Sequence, residues 1–156
     1  MQHYQTLLAL HIVFAGIWVI FFVVDLIFKS SISKNSNETK NEVISLYLNF
    51  TNLFGIIGSI GIALTGIILV SQNPGYGFFD MSHAHWLATK QILFVAILAF
   101  TFLKVIPTAK KLRSAIANSN SDEIKTNLEV IIKANKFINI LVILNFIFAI
   151  THRFYS

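Results

Sequence analysis

The chain has 156 residues, of which 55% are hydrophobic and 12% charged, and its mean hydropathy of +0.70 favours a membrane protein with a single domain, residues 1–156. Its net charge of +5 comes from bases at the ends of apolar runs, where lipid headgroups and topology signals account for them, so we expect no nucleic-acid partner. The sequence has no cysteine, which excludes disulfides, thiolate metal sites, iron–sulfur clusters and covalently attached c-type haem.

Apolar runs divide the chain into segments that are long enough to cross a lipid bilayer as helices. About 20 helical residues span the roughly 30 Å of hydrocarbon. Residues 43–71 contain no charge at all, whereas the third and fourth runs carry lysines near their ends. We therefore predict an all-α integral membrane protein, an up-and-down four-helix bundle with helices over about 4–28, 42–71, 86–116 and 122–152.

Polar segments between the runs predict the connections and the topology. Residues 29–40 contain three lysines and predict an exposed loop, and Asn118–Ser121 predicts a turn before a capped helix. Pro107 is expected to bend or end the third helix. Residues 72–85 also break helix but carry no Lys or Arg, so the positive-inside rule places them outside, together with both termini.

The first helix carries three polar or aromatic residues on one stripe. His11, Trp18 and Asp25 are seven residues apart, so they share a face that we expect to point into the bundle. An imidazole inside the apolar layer either hydrogen-bonds to a neighbouring helix or binds a metal or haem iron. Trp18 suits packing or a cofactor contact, and Asp25 suits a solvated or lysine-paired position near the helix end.

Glycines recur on the second helix. Small residues at spacings of three or four let a neighbouring helix approach closely. They also suit a flat groove against which a planar macrocycle can lie. Either interpretation places the glycine face toward the bundle interior. The glycines are Gly55, Gly58, Gly61 and Gly66.

The start of the third helix concentrates side chains that bind transition metals. Met81, His83 and His85 suit a soft or borderline ion such as copper better than calcium or magnesium. Short loops also collect such residues by chance. A copper entry site and an ordinary loop are therefore both open interpretations.

Lys90 lies one turn into the third helix, on the side where the positive-inside rule requires no base. Either its ammonium group snorkels to the interface, or it is buried and its neutral amine binds iron or accepts a proton. A charged Lys90 would pair with a carboxylate such as a porphyrin propionate. His85 and His152 lie on the same side and are further candidates for an axial position.

The order of these motifs resembles a known family. His11 followed by Trp18, a glycine-bearing second helix, and Trp86-Leu87-x-x-Lys90 resemble the bacterial HemJ-type protoporphyrinogen oxidases. They resemble the copper-resistance D group of small membrane proteins more loosely.

The HemJ resemblance extends over residues 4–106 and implies a b-type haem in the plasma membrane of a bacterium. It implies that His11 and Lys90 are needed for oxidation of protoporphyrinogen IX. The stretch 133–139 lacks the Asn-Glu-x-Pro element of that family. The resemblance therefore implies the fold and the haem more directly than it implies that the chain is an enzyme.

Three functions remain open at this stage. The first is a haem b-binding redox protein that acts on a porphyrinogen or passes electrons to quinone. The second is a copper-handling or transport protein that uses Met81, His83 and His85. The third is a structural subunit of a membrane complex or homo-oligomer, in which the polar residues only tie helices together.

Overall fold

A computed structural model describes residues 2–34, 37–82 and 84–151 of the chain. Almost all of these residues are helical. The elements in chain order are α1 (Gln2–Lys34), α2 (Asn37–Ser71), α3 (His85–Phe100), a π-helical turn (Thr101–Val105), α4 (Ile106–Ala117) and α5 (Ser121–Thr151).

The π turn joins α3 and α4 into one continuous helix, so the described chain forms four long helices. Each of the four contains 31 to 33 residues and is long and apolar enough to cross a membrane. Many of their apolar side chains point outward; Ile12, Ile27 and Leu103 are 60%, 62% and 80% exposed. Outward-facing apolar side chains of this kind contact lipid rather than water. The prediction of an all-α, four-helix membrane bundle is confirmed.

The four helices pack as two antiparallel pairs. One pair consists of α1 and α2, the other of α3 and α4 against α5, and contacts between α1 and α5 join the pairs. We call the end of the bundle with the α4–α5 turn the 118 end, and the end with the α2–α3 connection the 77 end. Connections at alternating ends give the predicted up-and-down topology.

The prediction of an exposed loop over residues 29–40 is wrong. α1 continues to Lys34 and α2 already begins at Asn37. Ile32 and Ile44 are 4% and 0% exposed and belong to a hydrophobic cluster with Leu112 and Ile131 at the 118 end. The exposed side chains of Ser30, Ser33 and Lys34 therefore lie on the solvent face of an extended α1, because the apolar residues between them keep helical spacing.

α4 and the first half of α5 form an antiparallel pair, as predicted. Asn118–Asn120 make the turn, and the Asn120 Oδ1 accepts a hydrogen bond from the Glu123 N–H at 3.3 Å. This bond caps α5 in the manner expected of an Asn before a helix. Leu112 and Leu128 are buried in the hydrophobic cluster between the two helices.

Pro107 does not end the third helix. Inward-facing positions recur every four residues here, at Ile97, Thr101 and Val105. The eight residues from Ile97 to Val105 exceed the about 7.2 residues of two α-helical turns. The π turn, in which the Ile106 N–H bonds to the Thr101 carbonyl, absorbs the difference. Pro107 then lies in the first turn of α4, and the helix continues to Ala117.

Candidate functional site

The stripe of His11, Trp18 and Asp25 points into the bundle, as predicted. Trp18 and Asp25 are buried and His11 is half-buried. The three residues mark three layers of the interior, from the 77 end to the 118 end. The upper and lower layers are polar, and the middle layer is hydrophobic.

The upper layer is built around His11. Its Nδ1 lies 2.7 Å from the Oγ1 of Thr65 on α2. The Thr65 hydroxyl also lies 2.6 Å from the Gly61 carbonyl oxygen, to which it donates its proton. Because the hydroxyl has only one proton, Thr65 must accept from His11, and Nδ1 must therefore carry the imidazole proton.

This hydrogen bond fixes the tautomer of His11. The neutral ring has its proton on Nδ1 and a lone pair on Nε2. Nε2 makes no hydrogen bond with any residue in the described part of the chain. Gly66 lies beside the ring, and a Cβ at this position would come within 3.3 Å of the His11 Cε1. The upper layer thus holds an oriented imidazole with one nitrogen available to a ligand.

Lys90 belongs to the same layer. Its side chain is half-buried, and its Nζ lies 5.5 Å from the centroid of the Trp86 ring. The Asn145 Nδ2 donates to the Lys90 carbonyl at 3.2 Å, which ties α5 to α3 at this depth. The structure thus places His11 on α1 and Lys90 on α3 toward the same, 77 end of the bundle.

The middle layer is filled by aromatic rings of α1. The Trp18 and Phe94 rings pack with centroids 5.7 Å apart. A Cβ at Gly58 would collide with the Trp18 ring, and one at Gly61 with the Phe14 ring. Gly58, Gly61 and Gly66 face α1 as predicted, whereas a Cβ at Gly55 would meet nothing within 4 Å. The close helix approach is therefore the use that the structure displays at Gly58 and Gly61.

Two of the three candidate copper ligands at the 77 end lie in the described part of the chain. Met81 and His85 are exposed, and the His85 Nδ1 lies 3.2 Å from the Met81 carbonyl. His83 and His152 lie outside the described residues. Within residues 2–34, 37–82 and 84–151, three or more His, Asp or Glu side chains nowhere come close enough to hold a metal ion.

The lower layer contains a cluster of five hydrogen-bonded polar residues, which we call the Asp25 cluster. The Asp25 carboxylate is 1% exposed. Its Oδ1 accepts from the Tyr47 hydroxyl at 2.6 Å, and its Oδ2 accepts from the Asn139 Nδ2 at 2.9 Å. Lys29, one turn further along α1, forms an ion pair with the same Oδ2 at 2.5 Å. The Asn135 Nδ2 completes the cluster by donating to the Tyr47 hydroxyl at 2.6 Å.

The Asp25 cluster nearly satisfies its own hydrogen-bonding groups. One buried side-chain oxygen in the described chain has no donor, the Oδ1 of Asn139. Asn139 is 3% exposed, so this acceptor is shielded from bulk solvent. A buried acceptor without a donor costs about 1–3 kcal/mol. The cluster therefore has capacity for one further donor.

Sequence reasoning assigned Asp25 to a solvated or lysine-paired position, and the ion pair is present although the carboxylate is buried. The partners Tyr47, Asn135 and Asn139 were not singled out. Asn135 and Asn139 are four residues apart on α5, hence on one face, and amides at such positions in an apolar helix usually bond across helices. That spacing was the available signal. Tyr47 offered none, because a tyrosine in an apolar run is also typical of packing.

The functional interpretation rests on this geometry and on the sequence resemblance. When the chain is compared with protein-family models, curated proteins and solved structures, no match is found.

Proposed function

We propose that the protein is a multi-pass membrane haem b protein of the HemJ type, with His11 as an axial ligand of the iron. The observation that carries this proposal is the hydrogen bond from the His11 Nδ1 to Thr65, which leaves the Nε2 lone pair available. Haem irons are bound by such imidazoles, whose second nitrogen is held by an outer hydrogen bond.

The donor set of the upper layer fits a b-type haem. His11 is a neutral nitrogen donor of defined tautomer, and Gly66 has no side chain that would crowd the imidazole ring. Because the sequence has no cysteine, attachment would be non-covalent. A bound haem would supply one-electron transfer.

The protein side chains have separate roles in this proposal. Thr65 keeps the proton of His11 on Nδ1 and so presents Nε2. Lys90 holds a proton close to His11 or pairs with a propionate, and Trp86 stabilises its charged form through the contact at 5.5 Å. With haem bound, the protein would take electrons from a porphyrinogen or pass them to quinone.

The location completes the proposal. The membrane is the plasma membrane of a bacterium, with the 77 end and both termini outside and the 118 end in the cytoplasm. Support comes from the bases: at least eight Lys and Arg flank the two connections at the 118 end, against none in residues 72–86.

The proposal is tested by the haem content of purified variants. His11→Ala should lose bound haem, measured as the α absorption band of the reduced protein and as the ratio of haem to protein. Circular dichroism should show unchanged helix content. His3→Ala, which removes an exposed imidazole from the same helix at the same end, is the matched control and should keep its haem. Thr65→Val should weaken haem retention about 10- to 100-fold, because it removes the outer hydrogen bond.

Two outcomes would contradict the proposal: wild-type protein without a Soret band after expression with haem supply, or normal haem in His11→Ala. Lys90→Met examines the second residue. It should change the spectrum or remove activity without unfolding the bundle. If it changes neither, Lys90 is a snorkelling residue and the other axial ligand is His85 or His152.

A further inference from the structure

An open pocket lies on the outside of the bundle beside the π turn, on the α3/α4 and α5 side. Its volume is about 290 Å³. Ala134 is buried, Phe100 and Val130 are half-buried, and Lys104 and Lys133 are exposed, so the pocket has an apolar wall and a rim with two ammonium groups.

Neither lysine is neutralised by an acid in the described part of the chain. Glu129 precedes Lys133 by one turn on α5, but the two side chains form no ion pair. The ion pair that the described residues do form is the one between Lys29 and Asp25. Two like charges therefore line one opening, where an anion between them would be attracted by both.

The pocket lies where the apolar surface of the bundle ends. Lys104 closes the uncharged run of the third helix, and Lys133 precedes the uncharged run 137–151 of α5. On the membrane side of the pocket, Phe102 and Phe137 are 64% and 47% exposed and face outward. Bases at such a boundary stand at the depth of lipid headgroups, and the apolar side chains stand among the acyl chains.

The π turn positions one of the two lysines. Lys104 lies within it, and its carbonyl accepts a hydrogen bond from the Thr108 hydroxyl at 2.8 Å. A π turn displaces the residues that follow relative to an α-helix, and such turns recur at functional sites. Lys104, within this turn, lines the same opening as Lys133 on α5.

We propose that this pocket binds an anionic phospholipid, with the headgroup phosphate between Lys104 and Lys133 and the first part of an acyl chain against Phe100 and Val130. The apolar wall and its continuity with the lipid-facing surface favour a lipid over a soluble phosphate. The site lies on the opposite half of the bundle from His11, so it does not depend on the haem proposal.

The test uses full-length protein in detergent micelles that contain equal amounts of phosphatidylglycerol and phosphatidylcholine, with the co-purifying lipids counted by mass spectrometry. Wild-type protein should enrich phosphatidylglycerol, and Lys104→Gln/Lys133→Gln should reduce that enrichment at least about five-fold, since each surface lysine contributes about that factor. Lys110→Gln/Lys111→Gln removes the same charge from exposed positions on α4 and should retain the enrichment.

A second variant leaves the charge unchanged. Val130→Phe fills the apolar wall and should also reduce phosphatidylglycerol binding, while circular dichroism confirms the helices. Equal loss in the Lys110/Lys111 control would mean a general charge effect and would overturn the site. The site would also be overturned if Lys104→Gln/Lys133→Gln left the phosphatidylglycerol enrichment unchanged, or if soluble glycerophosphate displaced the lipid fully.

Discussion

Asp25 keeps a carboxylate at 1% exposure inside an apolar bundle, which requires donors on both of its oxygens. Lys29, Tyr47 and Asn139 supply them from three positions on three helices. Removal of one partner from a buried ion pair leaves the other charge without compensation. We therefore expect single substitutions in the cluster to have large effects on stability.

We expect Asp25→Ala to lower the free energy of unfolding by about 3 kcal/mol, because it leaves the Lys29 charge and the Tyr47 hydroxyl without their acceptor. Tyr47→Phe should cost about 1 kcal/mol, the scale of a hydrogen bond between membrane helices. Thermal unfolding in detergent micelles measures both. Glu42→Gln, at an exposed position of α2, is the control. An Asp25→Ala variant as stable as this control would mean that the cluster adds no stability.

At the scale of single residues, part of the candidate site could be predicted from the sequence. Seven-residue spacing was enough to place His11, Trp18 and Asp25 on an inward face, because helix periodicity is a local property. The partner Thr65 lies 54 positions away from His11. Which residues meet across helices depends on helix rotation and depth, and periodicity within one helix does not fix these.

Among the helices, α1 and α2 illustrate how glycine controls an interface. The Phe14 and Trp18 rings of α1 lie against Gly61 and Gly58, where α2 has no side chain. This close contact extends the packing of α1 on α2 through the middle layer. In lipid the hydrophobic effect does not drive helices together, so their association depends on close packing, which small residues permit.

Gly58→Ala and Gly61→Ala should each destabilise the protein by about 1–3 kcal/mol, the usual cost of overpacking, because the new methyl group meets an aromatic ring. Gly55 is a matched control on the same helix, since a Cβ there meets nothing within 4 Å. Gly55→Ala should be neutral or stabilising by up to about 1 kcal/mol. Midpoints of thermal unfolding measure these effects, and equal losses at all three positions would show that contact with the aromatic rings is not responsible.

For connections and helix ends, sequence reasoning was uneven. The turn at Asn118–Asn120 and the start of α5 follow from a capping signal, which is local. The extension of α1 and α2 was missed because lysines and serines outweighed the two buried isoleucines, Ile32 and Ile44. The π turn was missed because it results from the spacing of buried positions on a helix whose partners were unknown.

At the scale of the whole molecule, the alternation of long helices and short connections fixes which residues share an end, but not which end faces the cytoplasm. The class of fold followed from length and hydropathy alone. Orientation depends on the distribution of bases and on the insertion machinery, so it remains part of the proposal.

The orientation is measurable because the chain contains no cysteine, so a single introduced cysteine gives an unambiguous label. Ser119→Cys at the 118 end should react with a membrane-impermeant maleimide only after cells are lysed. Gly77→Cys at the other end should react in intact cells. The reverse pattern would invert the orientation, while labelling of both positions in intact cells would contradict the membrane-spanning arrangement itself.

The distribution of the Asp25 cluster along the chain has a consequence for biogenesis. Asp25, Lys29 and Tyr47 all belong to the first two helices, whereas Asn135 and Asn139 belong to the last. The nascent chain therefore delivers the acid together with its counter-ion, four residues apart on one helix, so the pair enters the lipid already neutralised. Tyr47 joins when the second helix folds back. The Asn135 and Asn139 amides of α5 arrive last and donate to the Tyr47 hydroxyl and the Asp25 carboxylate, which the first two helices have already brought together. The cluster is therefore complete only when the final helix has packed.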